Sequence, residues 1–76
     1  MEIISGNLKE IGILYLDRSS QRLALNGDEF HCGDSLEIYF HGQWRKISLE
    51  YFKEWYAFLD GKRVGEKELI GIQARC

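Results

Sequence analysis

The sequence predicts an all-β protein, a small SH3-like antiparallel barrel of five or six strands. Short runs of alternating apolar and polar residues are separated by turn residues at intervals of about 8–12 residues, which is typical of small sandwiches and barrels. The chain contains eight glycines and no proline, so glycine must supply its sharp reversals. A short meander of this kind removes its open sheet edges by closing on itself.

The length of the chain permits one domain. With 76 residues, it is near the lower limit for a core without disulfides or metals, and it buries only about 60% of its unfolded surface. A hydrophobic content of 45% and a charged content of 29% are those of a folded protein rather than a disordered one. We expect a single β-barrel domain over residues 10–76, preceded by an N-terminal arm over residues 1–9.

Two strands are predicted in the first third of the chain. Residues 11–16 form the first apolar run and residues 21–25 the second, with the polar turn 17–20 between them. Asn26-Gly27-Asp28 then reverses the chain, because Asn and Gly adopt positive φ at little cost.

The middle of the chain predicts a hairpin. Apolar and polar residues alternate with period two over residues 36–40 and again over residues 44–50. His41-Gly42 forms the two-residue turn between these runs. The alternation directs Leu36, Ile38 and Phe40 inward together with Ile47 and Leu49.

The last third is less regular. Residues 49–59 also show some helical spacing, but the aromatic run 55–59 before Asp60-Gly61 favours a strand. We expect a loop over residues 62–67 and a final strand over residues 69–74.

Several short motifs resemble a family of small bacterial proteins of unknown function. The run from Phe30 to Glu37 is similar to the family's Leu-x-Cys-Gly-Asp-x-Leu-Glu stretch. The later motifs are Gly42-Gln43-Trp44, Trp55-Tyr56 and the closing segment 69–75, which is similar to Leu-x-Gly-Leu-x-x-Arg. The resemblance covers about residues 10–75. It implies a small β-barrel encoded by a mobile element such as a plasmid or phage, and it supplies no catalytic residues.

Composition and patterning exclude several classes of protein. No segment approaches the ~20 apolar residues that span a bilayer, and the first residues lack the pattern of a signal peptide. We therefore expect a cytoplasmic protein without membrane contact, in which Cys32 and Cys76 are free thiols. Cys32 is expected to be a small buried residue beside the turn at Gly33-Asp34.

No enzyme, cofactor or metal site is expected. Neighbouring His31 and Cys32 do not have zinc-ligand spacing, and on a strand they point to opposite faces. Cys32, His41 and Asp34 have the residue types of a nucleophilic site. A 76-residue barrel filled by its own side chains nevertheless has little room for a substrate cavity.

The charges are unevenly spread. The formal net charge is −2, yet residues 1–44 carry seven acidic and three basic side chains. No Lys or Arg lies between Leu23 and Trp44. One negative face would repel phosphate and attract a basic protein surface. The alternative is a solvated acidic rim without function.

Exposed aromatic residues complete the candidate binding surface. Tyr39 and Trp44 are expected opposite each other on the outer face of the hairpin, and Tyr and Trp beside charges are typical interface anchors. The alternative is that a tryptophan covers an open end of the barrel. The predicted partner-binding residues are Asp28, Glu29, Asp34, Glu37, Tyr39, Trp44, Trp55 and Tyr56.

We therefore expect a non-catalytic protein-interaction module whose partner is a protein with a basic surface. A sharper form, suggested by small size, acidity and the mobile-element resemblance, is an inhibitor of a host defence nuclease of the anti-CRISPR type. The alternative is a small nucleic-acid-binding regulator that uses surface aromatics with Lys and Arg. A pI of about 5.6 makes nucleic acid the less favoured partner. The sequence leaves the oligomeric state open.

Overall fold

The computed structural model describes residues 10–76, so the predicted arm at residues 1–9 lies outside the described residues. The described chain forms ten short strands and one helix of four residues. In order these are β1 (Ile11–Ile13), β2 (Tyr15–Asp17), β3 (Arg22–Leu25), β4 (Asp28–Glu29), β5 (Ser35–Phe40), β6 (Gln43–Ser48), β7 (Glu50–Phe52), β8 (Glu54–Leu59), β9 (Lys62–Gly65), α1 (Glu66–Leu69) and β10 (Gln73–Arg75). That helix is too short to cross a membrane, and no other lies within residues 10–76.

The strands form three antiparallel sheets. Sheet A has the order β1-β10-β5-β6, sheet B has β2-β3-β4 and sheet C has β7-β8-β9. The all-β prediction is confirmed. Five or six strands were too few, and among residues 10–76 the hydrogen bonds form three sheets rather than one closed barrel.

Leu14 bends the first predicted strand into two. It lies between β1 of sheet A and β2 of sheet B, and its side chain is fully buried. Its N–H donates to the Ile72 carbonyl at 2.9 Å, and its carbonyl accepts from the Gly71 N–H at 2.8 Å. The bend therefore keeps both backbone groups of the buried residue satisfied, as burial requires.

Leu49 forms an equivalent corner between β6 of sheet A and β7 of sheet C, and it too is fully buried. Its N–H donates to the Asp34 carbonyl at 2.8 Å, and its carbonyl accepts from the Gly33 N–H at 2.7 Å. Gly33 has φ +95°, a conformation that favours glycine. The two corners direct three sheets around one core.

Three hairpins use two-residue turns of the same kind. Asn26-Gly27, His41-Gly42 and Asp60-Gly61 all have positive φ at both residues. This geometry is that of type I′ turns, whose twist matches the flanking strands. The predicted reversals at these positions are confirmed, and they fix the register of β3–β4, β5–β6 and β8–β9.

The core is a single cluster of buried side chains from all three sheets and α1. The predicted inward residues Leu36, Ile38, Ile47 and Leu49 are buried there. Phe40 is only partly buried and packs against the cluster. The remaining members are Leu14, Leu23, Leu25, Phe30, Trp55, Ala57, Leu59, Val64, Leu69 and Ala74.

The final third differs from the prediction. The strand predicted for residues 55–59 is confirmed as β8, but the predicted loop 62–67 contains β9 and the start of α1. The predicted strand 69–74 is reduced to its last residues, which begin β10. The helix begins where the Glu68 side chain accepts a hydrogen bond from the Gly65 N–H at 3.1 Å, a contact that satisfies a backbone donor at the helix start.

We expect Leu49→Ala to lower the free energy of unfolding by about 2–5 kcal/mol, the usual range for a fully buried leucine. The matched control is Ile13→Ala, because Ile13 is 54% exposed and its loss should cost less than about 1 kcal/mol. Urea unfolding of both variants measures the difference. Equal losses would contradict the role of the Leu49 corner.

A charge pair joins sheet A to the β8–β9 turn. Arg45 Nη1 donates to Asp60 Oδ2 at 3.1 Å, and the second guanidinium nitrogen donates to the other carboxylate oxygen. This hydrogen bonding, assisted by the charges of Arg45 and Lys62, holds the pKa of Asp60 below its ordinary value. A folded-state pKa below the unfolded value of about 3.9 contributes stability above that pH, and the contribution is lost as pH falls through the folded-state value.

We expect the stability of Asp60→Asn to fall less steeply than that of the wild type between about pH 5 and pH 2. The reason is that asparagine has no carboxylate to be protonated in this interval. Melting temperatures measured at steps through that interval for the wild type and the variant provide the test. A variant whose melting temperature falls as steeply as that of the wild type would argue against the Arg45–Asp60 contribution.

Candidate functional site

The outer face of sheet A brings together side chains from both ends of the described chain. The register places Arg75 between Ile11 and Glu37, and it places Tyr39 opposite Trp44. Alternate residues of a strand share a face, so these five side chains lie on one side of the sheet. Ile38 and Ala74 point to the other side and are fully buried, which identifies the first side as the outer one.

Arg75 organises this face. Its Nε donates to Glu37 Oε1 at 2.7 Å, and its guanidinium carbon lies 4.1 Å from the centroid of the Trp44 ring. The Arg75 and Glu37 side chains are only 30% and 23% exposed. A guanidinium that is hydrogen-bonded and stacked on an aromatic face has little freedom left. Trp44 is therefore held in one orientation by a charged neighbour.

Tyr39 and Trp44 form the aromatic pair that the sequence predicts. They are cross-strand partners, and their ring centroids lie 5.2 Å apart in an edge-to-face arrangement. Tyr39 is 42% exposed. The pair thus presents aromatic surface to solvent in a geometry that favours two rings.

Sequence reasoning missed three members of the face. Ile11 and Ile13 are more than half exposed and lie on β1, which pairs with β10 at the other end of the chain. Arg75 reaches Glu37 across 38 positions of sequence. The strand pairing of β1, β10 and β5 creates these contacts, and no local pattern indicates it.

The four predicted acidic residues lie at three separate places in the fold. Exposed Asp28 and Glu29 form β4 at the edge of sheet B. Asp34 lies in the turn before β5, where its Oδ2 accepts the His31 N–H at 2.7 Å. Glu37 is the one of the four that lies on the outer face of sheet A.

Asp17 adds a further negative charge to sheet B. The Ser19 hydroxyl donates to Asp17 Oδ1 at 2.6 Å, and the Ser19 N–H donates to the same oxygen at 2.9 Å. These bonds lower the pKa of Asp17, so its carboxylate keeps its negative charge to a lower pH than a free aspartate does.

The structure places Trp55 in the core, at 4% exposure, and not on the predicted binding surface. Its ring N–H donates to the Gln21 carbonyl at 3.1 Å, and its backbone N–H donates to the Glu66 carboxylate at 3.1 Å. Trp55 thereby ties sheet C to the start of β3 and to α1. An aromatic residue with both N–H groups satisfied and its ring buried serves the fold.

Tyr56 lies on a second face, the outer face of sheet C. It is partly buried beneath Arg63, whose guanidinium carbon is 4.4 Å from its ring centroid. The neighbouring Phe58 ring is 5.7 Å away. Phe52 and Phe58 of this face are 67% and 58% exposed. Neither was among the predicted binding residues, although alternation with buried Trp55, Ala57 and Leu59 indicates the outward direction of Phe58.

Cys32 is exposed and not buried as predicted, and its thiol donates to Glu50 Oε1 at 3.3 Å. His41 lies in the turn at the other end of β5, stacked on Phe40, so about 20 Å of strand separates it from Cys32. The three residue types of a nucleophilic site are thus not assembled. Within residues 10–76, no three His, Cys, Asp or Glu side chains converge to hold a metal ion.

Comparison with known proteins identifies a family. A family model described as "Domain of unknown function (DUF5348)" matches residues 12–76. The chain belongs to this family. The match spans nearly all of the segment that the motifs indicated, and it contains every residue of the outer face of sheet A except Ile11. No curated protein and no solved structure matches the chain.

We expect the Arg75–Trp44 contact to couple the two side chains by about 0.5–1 kcal/mol, as a partly exposed cation–π pair does. A double-mutant cycle of Arg75→Ala and Trp44→Ala, followed by urea unfolding, measures this coupling. The control cycle pairs Trp44→Ala with Arg63→Ala on sheet C, whose effects should add within about 0.5 kcal/mol. Strict additivity in both cycles would contradict the contact.

Proposed function

We propose that this domain is a non-catalytic protein-interaction module that binds its partner through the outer face of sheet A. The observation that carries the proposal is the arrangement in which Glu37 and Arg75 hold Trp44 beside exposed Tyr39. Tyr, Trp and Arg are the residues most enriched among those that dominate binding energy at protein interfaces.

The face is suited to binding because it is already ordered. Binding normally costs about 0.5–1.5 kcal/mol for each flexible side chain that becomes fixed. Here Arg75 is already fixed by its hydrogen bond to Glu37 and its contact with Trp44. Ile11 and Ile13 extend the face with aliphatic surface at the edge of the sheet. An aromatic centre flanked by aliphatic side chains provides a desolvated core for an interface.

The charges of this face favour a protein over a nucleic acid. Arg75 is neutralised by Glu37, so the positive charge that remains on this face of β5, β6 and β10 belongs to Lys46. Nucleic-acid binding draws its affinity from several phosphate contacts. A sequence with a formal charge of −2 and a pI of about 5.6 does not favour that mode of binding.

A non-catalytic role is supported by the spacing of the reactive side chains. Cys32 precedes β5 and His41 follows it, and the Cys32 thiol contacts the Glu50 carboxylate rather than the His41 imidazole. Two unpaired cysteines, Cys32 and Cys76, are consistent with a cytoplasmic setting.

The narrower proposal concerns the chemistry of the partner. Asp28 and Glu29 are exposed on β4, and no basic side chain of residues 10–76 forms an ion pair with them. This acidic edge suits a partner with a basic surface, because complementary charge speeds association. A mobile-element protein that blocks the nucleic-acid channel of a host defence nuclease is the version of this proposal that the sequence motifs suggest.

The proposal is tested by affinity capture from a nuclease-treated bacterial lysate, followed by binding measurements with the purified partner. We expect Trp44→Ala to weaken the partner's binding by at least about 30-fold, the loss typical of a dominant interface residue. Phe58→Ser, on the outer face of sheet C, is the matched control and should bind as the wild type does. Circular dichroism confirms that both variants are folded.

The other variants separate the remaining possibilities. If the double variant Asp28→Lys with Glu29→Lys loses binding and associates more slowly, the result would support a partner with a basic surface and the narrower proposal. Equal binding by the wild type and Trp44→Ala would overturn the assignment of the outer face of sheet A. If a partner is captured only from a lysate without nuclease treatment, the binding would depend on nucleic acid rather than on a protein partner.

A further inference from the structure

The outer face of sheet C carries the most exposed apolar side chains described in residues 10–76. Phe52 is 67% exposed and Phe58 is 58% exposed, with Tyr56 between them on the same face. Water-exposed aromatic rings that share one sheet face form a contiguous apolar patch, and such patches mark interaction sites. This face lies on strands that sheet A does not use, so it is independent of the proposed function.

Two charged side chains cross the patch. Arg63 extends over the Tyr56 ring, and its Nη1 lies 3.1 Å from Glu54 Oε2. The Arg63 and Glu54 side chains are 46% and 39% exposed, so this pair is more open to solvent than Arg75–Glu37. An exposed ion pair of this kind contributes little to folding stability. Its members can therefore change partners at little cost.

The register makes the face complementary to itself. Phe52 lies opposite Glu54 at one end of the sheet, and Phe58 lies opposite Arg63 at the other end. Consider two copies whose outer faces of sheet C stack on each other, related by a two-fold axis that runs across the strands at Tyr56. This axis places the Phe52 end of one sheet over the Phe58 end of the other. Phe52 of one copy then meets Phe58 of the other, and Glu54 meets Arg63. Isologous contacts of this type are the commonest basis of homodimers.

The charge balance favours a second copy over other occupants. Glu50 and Glu54 on this face offset Arg63 and the adjacent Lys53. A nucleic acid would meet two carboxylates beside its phosphates, which weakens binding. A second copy brings one carboxylate to each guanidinium. We infer that two copies of this chain associate through the outer faces of sheet C, with Glu54 of each copy paired with Arg63 of the other.

The test uses the mass of the full chain in solution, measured by light scattering across a dilution series. The wild type is expected to be dimeric at high concentration and to dissociate on dilution. Glu54→Arg and Arg63→Glu each juxtapose like charges, and each should weaken dimerisation by at least about tenfold. Phe58→Ser removes the apolar contact between Phe58 of one copy and Phe52 of the other, and it should also give a monomer.

Mixing the two charge variants provides the decisive measurement. An equimolar mixture of Glu54→Arg and Arg63→Glu should form a heterodimer, because each variant supplies the charges that the other lacks. The double variant Glu54→Arg with Arg63→Glu should recover self-association for the same reason. Trp44→Ala on sheet A is the control and should keep the wild-type mass, which separates a failure of this inference from a failure of the proposed function.

Two results would overturn the inference. One is a wild type that remains monomeric at the highest concentration. The other is a dimer whose stability is unchanged in Glu54→Arg and Arg63→Glu, which would place the contact elsewhere. If the wild type is monomeric and binds single-stranded DNA, and Phe58→Ser abolishes this DNA binding, the patch would instead be a nucleic-acid site.

Discussion

The three sheets depend on two buried corners, at Leu14 and Leu49. At each corner the strand changes sheets without leaving a buried backbone group unpaired, because a neighbouring loop supplies one donor and one acceptor. The side chain at the bend is fully buried, so the corner also places an apolar residue at the centre of the small core. Without this arrangement, the short strands could not enclose enough apolar surface for a domain of this size.

The corners also determine what remains outside. Because all three sheets contribute side chains to the same core, alternation sends one set of side chains inward and exposes the other set. The aromatic residues exceed what so small an interior holds. Trp55 occupies the core, while Tyr39 and Trp44 lie on the outer face of sheet A and Phe52 and Phe58 lie on that of sheet C. Two aromatic surfaces are thus a consequence of packing many rings around a single small core.

Local patterns predicted the central hairpin, because alternation and a two-residue turn determine both its faces and its register. They failed where tertiary contacts decide. β9 has a single buried residue, Val64, and its polar neighbours made it resemble a loop. Trp55 and Tyr56 form one aromatic motif in the sequence, yet adjacent strand residues point to opposite sides, so one is buried and the other borders the surface. The contact between the Arg75 guanidinium and the Trp44 ring joins β10 to β6, which are distant in sequence. No residue spacing within either strand predicts it.

The outer faces of sheets A and C carry the same arrangement of side chains and differ in how exposed its ion pair is. On each face an arginine stacks on an aromatic ring and binds a glutamate: Arg75 with Trp44 and Glu37, and Arg63 with Tyr56 and Glu54. The sheet A pair is at most 30% exposed and fixes the ring beside it, which suits recognition by aromatic surface. The sheet C pair is at least 39% exposed and remains hydrated, so its charges are available to an equal and opposite pair. This difference in burial is the physical reason why we propose binding of a different protein for the first face and self-association for the second.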